Sequence, residues 1–228
     1  MMNMPARALS AAAFALLPLT ATTVRAAPAV PQPRPLSLAD AVGRLPVAAE
    51  DRGGYVRSAF KYWVDDDHDD CATRAEVLIA ESRTRAVLEG DCRITAGSWY
   101  SYFDGKTVTE PRALDIDHMV PLAEAWDSGA SQWSPERRED YANDLDAEQS
   151  LVAVTTESHR AKADQDPAEW LPQLADAYCT YAADWTATKL RWSLTVDRAE
   201  AAALRDLAKG CGRQQVEYTS PPDAAAGS

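Results

Sequence analysis

Histidine is scarce in this chain, with three residues in 228, so chemistry that needs an imidazole has few places to sit. Cysteine is held to four residues, none in a C-x-x-C spacing, which excludes the usual thiolate zinc sites. No apolar run reaches the ~20 residues that a membrane span requires, and no internal repeat is present. Positive charge is also short: 23 Lys and Arg stand against 35 Asp and Glu, for a net charge of -12. Phosphate binding normally rests on a basic surface. An acidic balance therefore argues against tight, specific nucleic-acid recognition and leaves room only for weak, salt-sensitive binding around a local cluster.

What is present reads as one globular domain with tails, since 46% hydrophobic content in a chain of this length can bury a sizeable core. Residues 1–26 have the pattern of an export signal: Arg7 is the positive start, Ala8 to Ala21 is mainly apolar, and Val24-Arg25-Ala26 is a small-x-small cleavage site. Pro18 interrupts the run and disfavours an anchor. Removing this segment takes away Arg7 and Arg25 and no acid, so -12 becomes -14. The expected organisation is a signal (1–26), a Pro/Ala-rich leader (27–37), one α+β domain (38–213) with its core motif in 114–172, and a disordered tail (214–228). The expected product is a secreted, extracellular monomer with no membrane association.

Local signals predict the elements. Ser37 can cap a short helix, and Tyr55, Ala59, Tyr62 and Trp63 recur at helical spacing. Val77–Ala80 and Arg93–Thr95 are expected as strands, and a hairpin is expected over Tyr100–Val108 about Asp104-Gly105. Short helices are expected after Pro121 and at Ser134-Pro135. Asp166-Pro167-Ala168-Glu169 reads as a further helix start, followed by the stripe Leu174, Tyr178, Tyr181, Trp185 and Trp192, taken as core. Asp197 opens a last helix that stops at Gly210.

The run from Asp65 to Glu76 places carboxylates at Asp65, Asp67, Asp69 and Glu76, positions 1, 3, 5 and 12 of a calcium-loop register. Asp70 stands where Gly is usual. Five carboxylates within 65–70 repel one another without a cation, so a structural calcium is expected. The alternative is a solvated acidic turn, with His68 exposed in it. In an exported chain the four cysteines form two disulfides in one of three pairings. Cys71–Cys92 with Cys179–Cys211 is the expected one, because each bridge ties neighbouring elements.

His118 and His159 both lie between Asp115 and Asp166. Leu114-Asp115-Ile116-Asp117 alternates apolar and acidic residues, so as a strand it sets both carboxylates on one face. Ser150 to Val154 suits a second, buried strand. Thr155 or Thr156 can cap a helix carrying His159, Arg160 and Lys162 in its first turns. Strand, connection, strand and helix can hold one divalent ion.

Three pieces occur in order: Asp117-His118-Met119-Val120-Pro121-Leu122-Ala123-Glu124-Ala125-Trp126, then His159-Arg160-Ala161-Lys162, then Asp166-Pro167-Ala168-Glu169-Trp170-Leu171-Pro172. Together they resemble the HNH endonucleases, in particular the group of the C-terminal nuclease domain of the GmrSD restriction enzyme. The resemblance implies a ββα-metal core embedded in a mixed helix and short-strand domain. It also implies hydrolysis of nucleic-acid phosphodiesters, with DNA favoured over RNA. His118 is then the general base, Asp117 and His159 ligate magnesium or manganese, and Asp115 is a third ligand or orients His118. Arg160 and Lys162 contact phosphates, with Arg137 and Arg138 nearby. Adjacent strand residues point to opposite faces, so a turn or bulge at His118 is expected to bring it beside Asp117. His159 stands where this group usually has Asn, and Ser150 aligns with the position of the bracing Asn, a role open to Asn143. A rival reading is an exported, calcium-stabilised binding protein whose HNH site is inactive.

Overall fold

The computed structural model describes residues 35–221. The expected signal, most of the leader and the last part of the expected tail lie outside the described residues. Along the chain come β1 (Leu36–Ser37), α1 (Leu38–Val42), α2 (Thr73–Glu81), β2 (Val87–Glu89), β3 (Arg93–Ala96), β4 (Trp99–Ser101) and β5 (Lys106–Val108). They are followed by β6 (Leu114–His118), α3 (Leu122–Asp127), α4 (Pro135–Ala142), β7 (Leu151–Thr155), α5 (Thr156–Lys162), α6 (Tyr178–Trp192), α7 (Arg198–Gly210) and β8 (Gln215–Val216). The strands form four antiparallel pairs, β1–β8, β2–β3, β4–β5 and β6–β7. The class is α+β.

The pair β6–β7 organises the interior. Its register sets Asp115 opposite Val154, Asp117 opposite Val152 and Ile116 opposite Ala153. Leu114, Ile116, Leu151 and Ala153 pack one way, with Val77, Leu78 and Trp99. Val152 and Val154 join the larger core, built around Tyr181, Trp185 and Trp192 of α6. Three of the five residues in the expected aromatic stripe are thus fully interior. The buried side of α6 also carries Lys189 and Arg191, paired with Glu124, Glu200 and Asp144, so the helix is held by packing and these pairs more than by propensity. Ser134 and Asp197 cap α4 and α7, accepting from Arg137 N (3.2 Å) and Glu200 N (2.7 Å).

Four local expectations are corrected. Val77–Ala80 lies inside α2 and is not a strand; Thr73, Val77 and Leu78 are buried on one helix face, and flanking Ala, Glu and Leu favour the helix. Residues 55–63 form an extended strap with a single 3-10 turn at Arg57–Ala59. Side chains of α4 and its C-cap take the strap's backbone groups: Arg138 donates to the Ala59 carbonyl, while Asn143 donates to Lys61 O and accepts from Val64 N. Those groups are then unavailable to a helical ladder. Phe60, outside the expected stripe, is the strap's buried anchor, against Trp126 and Tyr141.

The expected helix at Asp166 is one turn only, with Asp166 Oδ1 accepting from Ala168 N and Glu169 N. Pro172 keeps Leu171 out of helical geometry, and the helix proper starts at Tyr178. The expected tail is ordered through Pro221: β8 pairs with β1, and Arg191 donates to Thr219 O at 2.6 Å. Both expected disulfides are present, with Cα–Cα distances of 5.0 Å (Cys71–Cys92) and 5.4 Å (Cys179–Cys211).

Candidate metal centre

Thr155 caps α5 by accepting from Ser158 N at 3.2 Å. The helix thereby starts directly at the end of β7. His159 and Lys162, three residues apart, share one helix face, and that face lies over the acidic side of β6. His159 Nδ1 sits 3.0 Å from Asp115 Oδ2, and His159 Nε2 faces Asp117 Oδ1 at 3.8 Å. A carboxylate accepts only, so Nδ1 donates to Asp115, and Nε2 is the ring nitrogen turned toward Asp117. Asp115 orients His159 in the way a carboxylate orients a metal-ligating imidazole; it does not orient His118.

Lys162 is not on the surface. Its ammonium is fully buried and bonds Asp117 Oδ1 (3.0 Å), Asp117 Oδ2 (2.7 Å) and the His118 carbonyl (3.0 Å). Burial pushes the Asp117 carboxyl up and the Lys162 ammonium down, while their mutual attraction opposes both shifts. Lys162 is therefore a clamp on the strand end, and the expected phosphate contact is corrected. Arg160 is exposed on the same helix. Arg137 and Arg138 are spent on the fold, donating to the carbonyls of Trp192, Ala59, Ala130 and Trp133.

His118 follows regular pairing, opposite Leu151. No bulge occurs, and alternation sends its ring to the face away from Asp117. There it is 6% exposed, stacked between Trp63 (centroids 5.5 Å apart) and Tyr141 (6.4 Å). Its Nε2 lies 2.9 Å from the Ala142 carbonyl. A carbonyl only accepts, so Nε2 carries the proton and Nδ1 is the basic nitrogen. Burial lowers the ring to about 3, so it is neutral at neutral pH.

Asn143 ties the end of α4 to the strap. Its side chain bonds Lys61 O, Glu139 O, Val64 N and Thr73 Oγ1, fixing the strap that carries Trp63 beside Ala142. Ser150 instead bonds Asp144 Oδ2 at 2.8 Å, within a buried pair of Asp144 and Arg191.

In the acidic loop, oxygens of Asp65, Asp67 and Asp69 lie within 4.8 Å of one another. Asp70, where Gly is usual, adopts φ 73°, as a Gly there would. Glu76 falls in a different group, with Asp69 and the disulfide-bonded Cys71. Its carboxyl is raised by burial and then by Asp69, Asp67 and Asp65.

Sequence reasoning missed Trp63 as the His118 partner, and it missed a gathering of Glu50, Glu124, Asp127, Asp166 and Asp197. The signal for Glu124 was available: an acid inside the apolar run Pro121 to Trp126 must be buried with the helix that carries it.

The strand pair closed by a helix, with imidazole and carboxylate facing each other, lies within the segment that matches a known family. Residues 70–207 match the family "GmrSD restriction endonucleases, C-terminal domain", and the chain belongs to that family. It is also 39% identical over 201 residues to an "Uncharacterized secreted protein" of Arthroderma benhamiae, covering 85% of this chain and 96% of that one. No solved structure matches. Among the described residues, no helix is long and apolar enough to cross a membrane.

Proposed function

We propose that this chain is an exported, metal-dependent endonuclease whose β6–β7–α5 unit is an HNH ββα-metal core. The observation that carries the reading is the Asp115–His159–Asp117 arrangement: His159 is held by one carboxylate so that Nε2 addresses the other across 3.8 Å. Adjacent donors on a magnesium- or manganese-sized ion with bonds of about 2.1 Å stand about 3.0 Å apart, so closing this gap by less than about 1 Å lets both bind one ion. Asp117 and His159 are its protein ligands, and Asp115 acts through His159. A divalent ion there polarises a non-bridging phosphate oxygen and stabilises the departing one. Lys162 holds Asp117 and the His118 carbonyl in place, and Arg160 is the side chain free to meet a phosphate of nucleic acid, DNA in preference to RNA. His118 is the proton acceptor that the family likeness implies, with Nδ1 as its basic nitrogen. Its ring lies in a buried slot on the face away from Asp117 and its basicity is depressed by burial, so the cleavage assay below is the test of that role. Export accords with two disulfides and with the secreted relative.

The burial of His118 favours a second reading, an exported binding protein with the same core and no turnover. Plasmid cleavage run beside manganese calorimetry separates the two. His118→Ala should lose about a hundredfold or more in rate while keeping its manganese affinity. His159→Ala should lose both, with partial recovery in excess manganese. Equal loss of metal binding in the two variants removes His118 from the base role. A wild-type chain that binds manganese without cleaving supports the second reading.

A further inference from the structure

Five carboxylates unconnected with the proposed nuclease chemistry meet where the segment after α1, α3, the turn after α5 and the start of α7 come together. Oxygens of Glu50, Glu124 and Asp127 lie within 4.8 Å of one another, and so do oxygens of Glu50, Asp166 and Asp197. Glu50 belongs to both groups. The backbone fixes the geometry: Asp51 N donates to Asp127 O (3.3 Å), Ala48 N to Val196 O (3.0 Å), and Thr195 N to Ser128 O (3.0 Å).

Positive charge is short at this point. Lys189 serves Glu124 (2.6 Å) but is shared with Glu200 (3.0 Å), and Arg52 serves Asp127 but is shared with Asp164. A second observation is independent of the clustering. The Asp127 side chain is 3% exposed, Arg52 takes its Oδ2, and its Oδ1 is buried with no hydrogen-bond partner. A buried carboxylate oxygen without a donor is costly, and a cation is the partner that the neighbouring acids would share.

We propose that Glu50, Glu124, Asp127, Asp166 and Asp197 form a cation site of the calcium class, distinct from the Asp117–His159 centre. The donors are all hard oxygens, which suit calcium or magnesium rather than zinc or copper. Calcium is favoured by the number and irregular placing of the donors: it accepts about six to eight oxygens in flexible arrangements, whereas magnesium demands a near-ideal octahedron and keeps several waters. An ion there ties the 46–52 segment to α3 and to the N-terminus of α7.

The test uses the full chain carrying Asp67→Asn, which disables the acidic loop, and reads bound calcium by equilibrium dialysis and the melting temperature with calcium or magnesium. That background should bind calcium and gain about 5–11 °C at a hundredfold excess over Kd. Adding Glu50→Gln, or Asp197→Asn, should remove one bound calcium per chain and most of the gain. Asn caps a helix as well as Asp does, so Asp197→Asn keeps α7 intact, and Glu50 is exposed enough to change without unfolding. The proposal is overturned if both added variants bind as many calcium ions as the background, or if magnesium matches calcium in affinity. The readout is binding, so it stands or falls separately from nuclease activity.

Discussion

Lys162→Met is the sharpest perturbation available, because it separates a buried clamp from a phosphate contact. Lys162 is 0% exposed and Asp117 is 2% exposed in side-chain terms, and the ammonium reaches both carboxylate oxygens. Met keeps most of the side-chain volume beside Trp185 and removes the charge. Asp117 is then stranded in the interior, which costs about 3–5 kcal/mol when one partner of a buried pair is deleted. In a domain of this size about 1 kcal/mol moves the melting temperature by about 2–4 °C, so Lys162→Met should melt about 6–20 °C lower in chelator. Urea denaturation gives the free energy directly. Asp117→Asn with Lys162→Met should recover much of the loss, since no charge is left unpaired. Manganese should also rescue the single variant, through occupancy of Asp117. If Lys162→Met is within 1 kcal/mol of wild type and only KM for nucleic acid rises, the clamp is wrong and Lys162 is a phosphate contact after all.

Stability should fall between pH 5 and pH 8, because burial raises Glu81 and Asp184 to about 7 and Glu200 to about 8. A carboxyl raised on folding contributes stability that is complete below its unfolded pKa and lost as pH rises through the folded one. Glu81→Gln, which can still accept from Ala153 N, should flatten that fall in melting curves; an unchanged slope refutes the assignment. His118 acts in the opposite sense, since its folded value is depressed to about 3, and its contribution is lost as pH drops from about 6.5 toward 3. The bridges span 21 and 32 residues, so reduction should cost roughly 3–4 kcal/mol for each on the chain-entropy model; free thiols in the secreted protein would contradict them. Calcium should raise the melting temperature through the Asp65–Asp69 loop as well, and Asp67→Ala should remove that part of the rise. A calcium response identical in Asp67→Ala would make the loop a solvated turn.

What was legible in the sequence is what adjacent residues decide. The alternation Leu114-Asp115-Ile116-Asp117, the cap at Thr155, the Ser134-Pro135 and Asp197 helix starts and the Asp104-Gly105 hairpin all depend on groups a few residues apart. Each appears where expected. The family likeness was readable for the same reason, since its three pieces are short and ordered. Tertiary structure alone decided which buried polar groups find one another. Lys162 looks like a surface cation in a list of residues, and only the packing of α5 on β6 turns it onto Asp117. The strap at 55–63 has a helical rhythm, yet Arg138 and Asn143, some 80 residues away, capture its backbone. His118 follows strand alternation into an aromatic slot, where Trp63 and Tyr141 meet it from either side of the sequence. Glu50 and Asp197 are 147 residues apart and share a cluster. Desolvation and charge pairing act between elements that the chain brings together last, so their outcome is not written in any local pattern.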